Sequence, residues 1–325
     1  MRRSTALRLH LFRRPRLALL ARLAGIGLLL TGLLLGQAAA SPLARPTLGL
    51  ALGSGGANGL AHIAVLQVLD ELDIVPDRIA GTSIGAVIGG LYAAGLSADE
   101  ILDIFDDVAG SPLDALSGLA GLDLDLVDLM HIGLNDGGLF DSSGFLRFLA
   151  GHTEARTFDD LAIPLSVVAT DYWSGDSVVI EEGPLFPAIE ASLAVPGLFS
   201  PVPRGDQLLI DGGTSNPLPY DLLLDEMGLV IAVDVTGSRQ SADDGPPGVT
   251  DILFNSFKIM QESLIRQALA HRRPHLYLKP EAAGVRLLHF NRIHEILAQA
   301  KPVADELRDQ LTIWLAIQAD ADAIP

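Results

Sequence analysis

A serine between two glycines, in Gly81-Thr82-Ser83-Ile84-Gly85, is the feature of this sequence that most clearly indicates chemistry. The run before it predicts a strand and the run after it predicts a helix, which is the context of a nucleophile elbow. In such a strained turn the neighbouring backbone comes so close that side chains at Gly81 and Gly85 would clash. The helix that follows points its N-terminal N–H groups at developing negative charge. We therefore predict that Ser83 is a nucleophile.

A glycine-rich segment, Gly53-Ser54-Gly55-Gly56-Ala57-Asn58-Gly59, separates the first predicted strand from the first predicted helix. A dinucleotide-binding fingerprint would require an acidic residue at the end of the second strand. Thr82 and Ser83 occupy that position, which argues against a nucleotide cofactor. An oxyanion hole is favoured instead, because consecutive glycines leave backbone N–H groups open to a developing negative charge. A tight structural turn without chemistry is the remaining alternative.

A serine hydroxyl is a weak nucleophile and needs a base within hydrogen-bond reach. Asp211-Gly212-Gly213 directly follows a short apolar run, so the Asp211 carboxylate could extend over the edge of the sheet. Partial burial there would raise the pKa of this carboxyl and make it a better proton acceptor. On residue type alone, an aspartate that caps a turn would be the preferred interpretation. The combination with the two glycine-rich motifs makes Asp211 the candidate base.

The elements that must position these residues read as a strand, a helix, a second strand and a second helix, and this alternation predicts an α/β fold. Such spacing is typical of a mainly parallel central sheet flanked by helices, with ligands bound at the carboxyl ends of the strands. The predicted strands are residues 47–52, 78–82, 165–170, 208–210 and 229–235, and the predicted helices are 60–72, 84–94, 250–270 and 292–315. The segment 97–151 is expected to form short helices and loops at the carboxyl edge, either as a mobile cover or as plain packing helices.

The N-terminus has the three parts of a secretory signal peptide. Seven arginines and no acid occur in residues 1–22, followed by an uncharged run to Leu35 and a small-residue site before Ser41. We predict a signal peptide at 1–40, a linker at 41–46 and one hydrolase domain at 47–320. The protein would then be exported, and would be periplasmic or secreted. A retained N-terminal membrane anchor is the alternative, although the apolar run is shorter than the roughly 20 residues that a spanning helix needs.

Charge and cysteine content limit the possible partners and chemistry. The 325 residues carry a formal charge of −18, and loss of residues 1–40 would change it to −25 because that segment holds seven basic residues and no acidic ones. Such a surface repels nucleic acid, so no nucleic-acid partner is expected, and any transient contact with a membrane surface would depend on apolar side chains. The absence of cysteine excludes disulfides, thiolate metal sites and a cysteine nucleophile. Oligomeric state is not indicated.

The order of a glycine-rich loop, a G-x-S-x-G elbow about 30 residues later and a distant D-G-G resembles the patatin-like phospholipases. The resemblance extends closely over about residues 47–235 and loosely beyond. It includes Leu60–Ile63, Val168–Asp171, Ala188–Ser192, Val195–Phe199 and Asn216–Pro219.

The resemblance implies a patatin-like fold in three layers and calcium-independent hydrolysis of phospholipid or other lipid acyl esters through an acyl-enzyme. It implies a catalytic dyad of Ser83 and Asp211, with the backbone N–H groups of Gly55 and Gly56 as oxyanion donors and no metal or cofactor. The other motif positions would support this site: Ser54, Asn58, Gly59, Gly81, Gly85, Gly212 and Gly213. Asn58 departs from the family, which usually has a basic residue there, so the resemblance does not imply a particular head group.

Two other functions stay open. One is a Ser-Asp-His triad esterase on small soluble esters, because four histidines follow Asp211 in the chain order of α/β-hydrolases. The elbow on only the second predicted strand argues against it. The other is a lipid-binding protein with little turnover, which the loss of the basic residue at Asn58 makes conceivable. The four late histidines are His271, His275, His289 and His294.

Several other residues that could carry chemistry are given structural roles. His62 is predicted to be a packed helix histidine, and the acidic residues between Asp99 and Asp107 a solvated helix face. Asp123, Asp125 and Asp128 lack the glycine and final glutamate of a calcium loop. Tyr172 and Trp173 could contact an acyl chain, but they are expected to pack in the core.

Overall fold

A computed structural model describes residues 46–109, 142–237, 249–281, 283–285 and 287–322. Its centre is an eight-stranded sheet with the spatial order β5-β6-β3-β2-β1-β7-β8, in which β4 is a second partner of β3. The strands are β1 (Leu48–Leu52), β2 (Arg78–Thr82), β3 (Leu165–Asp171), β4 (Ser177–Ile180), β5 (Val202–Arg204), β6 (Gln207–Asp211), β7 (Leu229–Val233) and β8 (Leu276–Leu278).

The sheet is mainly parallel, as the sequence predicts. The pairs β1–β2, β1–β7, β2–β3 and β7–β8 are parallel, whereas β3–β4, β3–β6 and β5–β6 are antiparallel. The central strand β1 is buried on both faces along its whole length, which is typical of a parallel sheet covered by helices on both sides. The described residues up to Ala319 belong to one compact unit.

Helices cover the two faces of the sheet unequally. They are α1 (Ala61–Glu71), α2 (Ile84–Ala93), α3 (Ala98–Ala109), α4 (Ser143–Ala150), α5 (Leu185–Leu193), α6 (Val249–His271) and α7 (Ile293–Asp322). Side chains alternate between the faces of a strand. Leu48, Leu50 and Leu52 therefore join the larger apolar core with α1, α2 and α7, whereas Ala51 joins a smaller core that includes Tyr220 and Ile265 of α6.

The predicted elements agree closely with the structure for the buried strands and their helices. Three strands are not predicted, because β5 and β8 have only three residues and three of the four side chains in β4 are largely or partly exposed. The prediction for Tyr172 and Trp173 is wrong. Both follow β3 at the edge of the sheet, 53% and 73% exposed, with their rings packed edge-on against each other at 4.9 Å.

Several sequence predictions fall outside the described residues. The signal peptide and most of the linker lie in residues 1–45, so they stay predictions. Within the segment 97–151, α3 and α4 are helices, and 110–141 lies outside the described residues, as do Asp123, Asp125 and Asp128. In the described part of the chain, no group of three or more His, Asp or Glu side chains is arranged to hold a metal ion. The helices described there include none long and apolar enough to cross a membrane.

Candidate active site

The register of β3 brings the two candidate catalytic residues together. β2 and β4 both pair with Val167 and Val168, so they lie on opposite edges of β3. β6 pairs with Ala169 and Thr170, and β4 pairs with the same two residues. β6 therefore lies on the edge of β3 opposite to β4, which is the edge that also pairs with β2. β2 ends with Thr82 opposite Val168, and β6 runs in from the other direction and ends with Asp211 opposite the next residue, Ala169. The antiparallel approach of β6 thus delivers Asp211 to the turn that carries Ser83.

Ser83 has the strained backbone that a nucleophile elbow requires. Its φ is 57° and its ψ is −124°, a conformation that costs a non-glycine residue energy and is concentrated at functional sites. Two hydrogen bonds hold this turn in place. The Ser83 N–H donates to Ser192 Oγ at 2.8 Å, and the Ser192 hydroxyl donates to the Val168 carbonyl at 2.6 Å. α2 begins directly after Ser83.

The two glycines of the elbow are required by close backbone contacts. A Cβ at Gly81 would lie 2.6 Å from the Gly85 carbonyl oxygen, and a Cβ at Gly85 would lie 2.1 Å from the Leu52 carbonyl oxygen. Both obstacles are backbone atoms, which cannot rotate away as a flexible side chain can. The packing of α2 on the sheet therefore depends on the absence of a side chain at these positions.

We expect Gly85→Ala to lower the free energy of unfolding by about 3 kcal/mol, the upper end of the usual cost of overpacking. The matched control is Gly144→Ala in α4, where an added Cβ meets no atom within 4 Å. Chemical denaturation of both variants measures the effect, and equal stability of the two would contradict the predicted clash.

Ser83 and Asp211 form a direct hydrogen bond in a buried site. The Ser83 hydroxyl donates to Asp211 Oδ2 at 2.6 Å, and the Gly213 N–H donates to Asp211 Oδ1 at 2.6 Å. Asp211 is fully buried. Its backbone is held as well, since its N–H donates to the Ala194 carbonyl and its carbonyl accepts from Thr170 Oγ1.

Burial sets the proton affinity of this carboxyl. Loss of solvation raises the pKa of Asp211 to about 7, and the hydrogen bonds from Ser83 and Gly213 oppose this shift only in part. A carboxyl with a pKa near neutrality is a stronger proton acceptor than an ordinary surface aspartate, and near pH 7 about half of it is in the basic form.

The glycine-rich loop follows β1, next to the elbow on β2. A Cβ at Gly55 would lie 2.2 Å from the Val235 carbonyl oxygen, and Gly56 has a φ of +58°, so both positions favour glycine. On either side of this pair, the Ser54 N–H donates to the Pro217 carbonyl and the Ala57 N–H to the Leu287 carbonyl, each at 2.8 Å. Of the carbonyls that the structure describes, none accepts a hydrogen bond from the N–H of Gly55 or Gly56.

Asn58 in the loop and His62 in the helix that follows it are both buried. Asn58 is 5% exposed and His62 is fully buried, where its Nε2–H donates to the Gly53 carbonyl at 2.9 Å. Burial lowers the pKa of His62 to about 4, so this histidine is neutral at pH 7 and has the packing role expected from the sequence. Asn58 Oδ1 and His62 Nδ1 are buried without a partner among the described residues. A Cβ at Gly59 would clash with Ile84 at 2.2 Å, which explains this glycine.

The D-G-G turn is shaped by contacts on both of its glycines. A Cβ at Gly212 would lie 2.1 Å from the Val168 carbonyl oxygen, and one at Gly213 would lie 2.1 Å from Gln261 Nε2. Ser192 and Gln261 are the residues around the site whose roles sequence reasoning misses. Ser192 belongs to the segment Ala188–Ser192, which resembles the family but does not show a role for this serine. Gln261 lies in a helix without any such motif.

Two of the late histidines are engaged elsewhere. His275 Nδ1 accepts a hydrogen bond from the Val230 N–H at 3.0 Å, and His294 Nε2 lies 3.3 Å from Asp106 Oδ1. His271 is exposed in the last turn of α6. The Ser83 hydroxyl donates to Asp211, and none of these three histidines is its acceptor.

Comparison with known proteins identifies the family. Residues 50–224, more than half of the chain, match the family model described as "Patatin-like phospholipase". This chain belongs to the patatin-like phospholipase family. The match contains the glycine loop, the elbow and the D-G-G turn, and it ends before α6.

Relatives from mycobacteria and mammals agree with this assignment. An uncharacterised NTE family protein of Mycobacterium bovis is 38% identical over 209 residues, which cover 63% of this chain and 54% of the relative. Another, of Mycobacterium tuberculosis, is 31% identical over 291 residues, which cover 82% of this chain and 47% of the relative. Patatin-like phospholipase domain-containing protein 6 of Mus musculus is 34% identical over 201 residues, 61% of this chain and 14% of the relative. The chain thus spans about half the length of the mycobacterial relatives.

The solved structure of VipD from Legionella pneumophila aligns with 82% of this chain and 67% of its own, at 15% identity and a TM-score of 0.47. The fold of this chain is the patatin-like α/β fold, with a mainly parallel sheet between helices.

Proposed function

We propose that this patatin-like protein hydrolyses the acyl esters of phospholipids or related lipids, with Ser83 as nucleophile and Asp211 as base. The observation that carries the proposal is the 2.6 Å hydrogen bond from the hydroxyl of a strained elbow serine to a fully buried carboxylate. Membership of the family supports the hydrolysis of lipid esters, since the matching model is a phospholipase model.

In the first half of the proposed reaction, Ser83 Oγ attacks the carbonyl carbon of the ester and its proton passes to Asp211 Oδ2. The carbonyl π electrons move onto the oxygen, and the N–H groups of Gly55 and Gly56 would stabilise this oxyanion. As the tetrahedral intermediate collapses, the bond to the leaving alcohol breaks and Asp211 returns the proton to the alcohol oxygen. The product is an acyl ester on Ser83 and a free alcohol, such as a lysophospholipid.

The second half repeats these steps with water as the nucleophile. Asp211 takes a proton from water, the hydroxide attacks the acyl carbon, and the bond to Ser83 Oγ breaks as the serine regains the proton. A fatty acid is released. The geometry around Asp211 suits this double role, because Gly213 holds Oδ1 and leaves Oδ2 to exchange the proton.

Mass spectrometry of mixed membrane lipids after incubation with the purified protein tests the proposed function. We expect loss of phospholipids, with matching gains of fatty acid and of lysophospholipid or deacylated glycerophosphodiester. If every ester lipid persists and the protein nevertheless binds vesicles, the lipid-binding alternative would replace hydrolysis. Turnover of small soluble esters alone would favour the general esterase.

The activity should rise with pH through a single ionisation. Because the pKa of Asp211 is raised to about 7, kcat/KM is expected to reach half of its plateau near pH 7 and to fall about tenfold per unit below it. A pH–rate profile on a soluble ester, corrected for protein stability, measures this limb. A profile that stays flat from pH 5 to 8 would contradict a buried Asp211 base.

The same ionisation affects stability in the opposite direction. The folded protein holds the Asp211 proton more tightly than the unfolded chain does. The stability that this proton contributes is therefore present below about pH 4 and is lost as pH rises through about 7. The pH range of highest expected activity, above about pH 7, is therefore the range in which the folded protein buries a charged Asp211 carboxylate.

A further inference from the structure

Gln261 is a buried polar residue on a helix that the family match does not include. α6 begins at Val249 and packs against the turn Gly212–Thr214 that follows Asp211. Gln261 is 3% exposed, whereas its neighbours Ile259 and Met260 are 49% and 55% exposed. A buried side-chain amide is normally hydrogen-bonded, so Gln261 is expected to have its partners inside the protein.

Three parts of the site meet at the Gln261 amide. Gln261 Nε2 donates to Ser54 Oγ at 2.9 Å, and Ser54 directly precedes the first proposed oxyanion donor, Gly55. The position that a Cβ would take on Gly213 lies 2.1 Å from Gln261 Nε2, 2.7 Å from Ser54 Oγ and 2.8 Å from Asp211 Oδ1. The Gly213 N–H is the group that holds Asp211 Oδ1. The amide therefore packs on the turn of the base while it is bonded to the loop of the oxyanion donors.

We propose that Gln261 is a positioning residue that fixes the glycine loop against the Asp-Gly-Gly turn, so that the oxyanion donors and the base keep one geometry. The inference depends on the proposed function, because it assigns Gln261 to the same reaction. Oxyanion donors act only if their N–H groups are held within a fraction of an ångström, and a misplacement of 1 Å can lower a rate about 100-fold.

The test substitutes Gln261→Met, which keeps the length of the side chain and removes the donor. We expect kcat for a soluble p-nitrophenyl ester to fall about 10- to 100-fold, with KM nearly unchanged, since the lost alignment matters most in the transition state. The matched control is Gln267→Met, the same substitution at an exposed position of the same helix. Equal kcat values for these two variants would overturn the inference while leaving the proposed function intact. Absence of turnover in the wild type would overturn the proposed function itself.

A second variant separates positioning from a general loss of stability. Ser54→Ala removes the acceptor of the same hydrogen bond and should reproduce the fall in kcat, even if Gln261→Met does not fold. Adding Gln261→Met to Ser54→Ala should then lower kcat by no more than about twofold, because the two side chains act through one contact. If the two substitutions instead lower kcat independently, or if kcat falls only in step with the melting temperature, Gln261 has a structural role and the inference is wrong.

Discussion

Ser83→Ala is expected to lower kcat/KM for ester hydrolysis by about 10⁶-fold, the size of the loss when a serine hydrolase loses its nucleophile. The substitution removes one oxygen atom and with it the atom that would form the acyl-enzyme. The Ser83 N–H, which donates to Ser192 Oγ, is retained in the variant, so the elbow keeps this contact. Steady-state kinetics on a soluble ester measures the loss, and circular dichroism verifies the fold.

Ser177→Ala provides the control for this substitution. Ser177 is exposed on β4, and its loss should change kcat/KM by no more than about twofold, as for ordinary surface substitutions. If Ser83→Ala kept more than about a tenth of the wild-type rate, a second nucleophile would have to be sought and the proposed acyl-enzyme on Ser83 would be wrong.

Asp211→Asn is expected to have the second largest effect, a fall in kcat/KM of about 10²–10⁴-fold, which is the usual contribution of a general base. Asparagine has nearly the same shape as aspartate but cannot accept and return a proton. Its side-chain oxygen can still accept the hydrogen bond from the Gly213 N–H, so the turn should persist. The variant also avoids burying a negative charge and should unfold at a temperature no lower than the wild type above pH 7.

The late histidines are the matched controls that separate a dyad from a triad. Each single alanine variant of these residues should keep kcat/KM within about twofold of the wild type, provided that it is assayed well below its melting temperature. If kcat/KM of one histidine variant fell as far as that of Asp211→Asn, the result would instead support a triad. The four positions are His271, His275, His289 and His294.

The centre of the fold could be predicted because its signals are local. β1 and β2 are short apolar runs that end at glycine-rich turns, and each is observed within one residue of its predicted bounds. The same glycines mark the elbow and the loop, where backbone contacts of 2.1–2.6 Å leave no room for a Cβ at Gly55, Gly81 and Gly85. Steric demands of this kind restrict the residue type itself, so they can be read from a single sequence.

The rest of the site depends on contacts between distant parts of the chain. The residues of a short strand such as β6 do not show its direction or its partner, because side chains alternate between the two faces in parallel and antiparallel strands alike. The sequence predicts that Asp211 reaches over the edge of the sheet, but it does not show that β6 pairs with β3 in the antiparallel sense. Ser192 and Gln261 are equally invisible, since each is an ordinary residue in a helix and its contact lies 109 or 207 positions away.

The exposed pair of Tyr172 and Trp173 shows a different limit of sequence reasoning. Trp side chains are highly buried on average and Tyr side chains are intermediate, so the sequence predicts that this pair packs in the core. Here Tyr172 and Trp173 follow Asp171 at the end of β3, and the Trp173 N–H donates to Asp171 Oδ1 in a tight turn. Both side chains are largely exposed after this turn, which composition and periodicity do not reveal.

The rate at which a fluorophosphonate labels the protein, followed by peptide mapping, tests the Ser83–Asp211 pair most directly. We predict a single adduct on Ser83. The labelling rate should rise with pH to a plateau, with the midpoint of the rise near pH 7, and this rise should be lost in Asp211→Asn. An adduct on another residue would contradict the account. So would a wild-type pH dependence that survives in Asp211→Asn and disappears in a histidine variant.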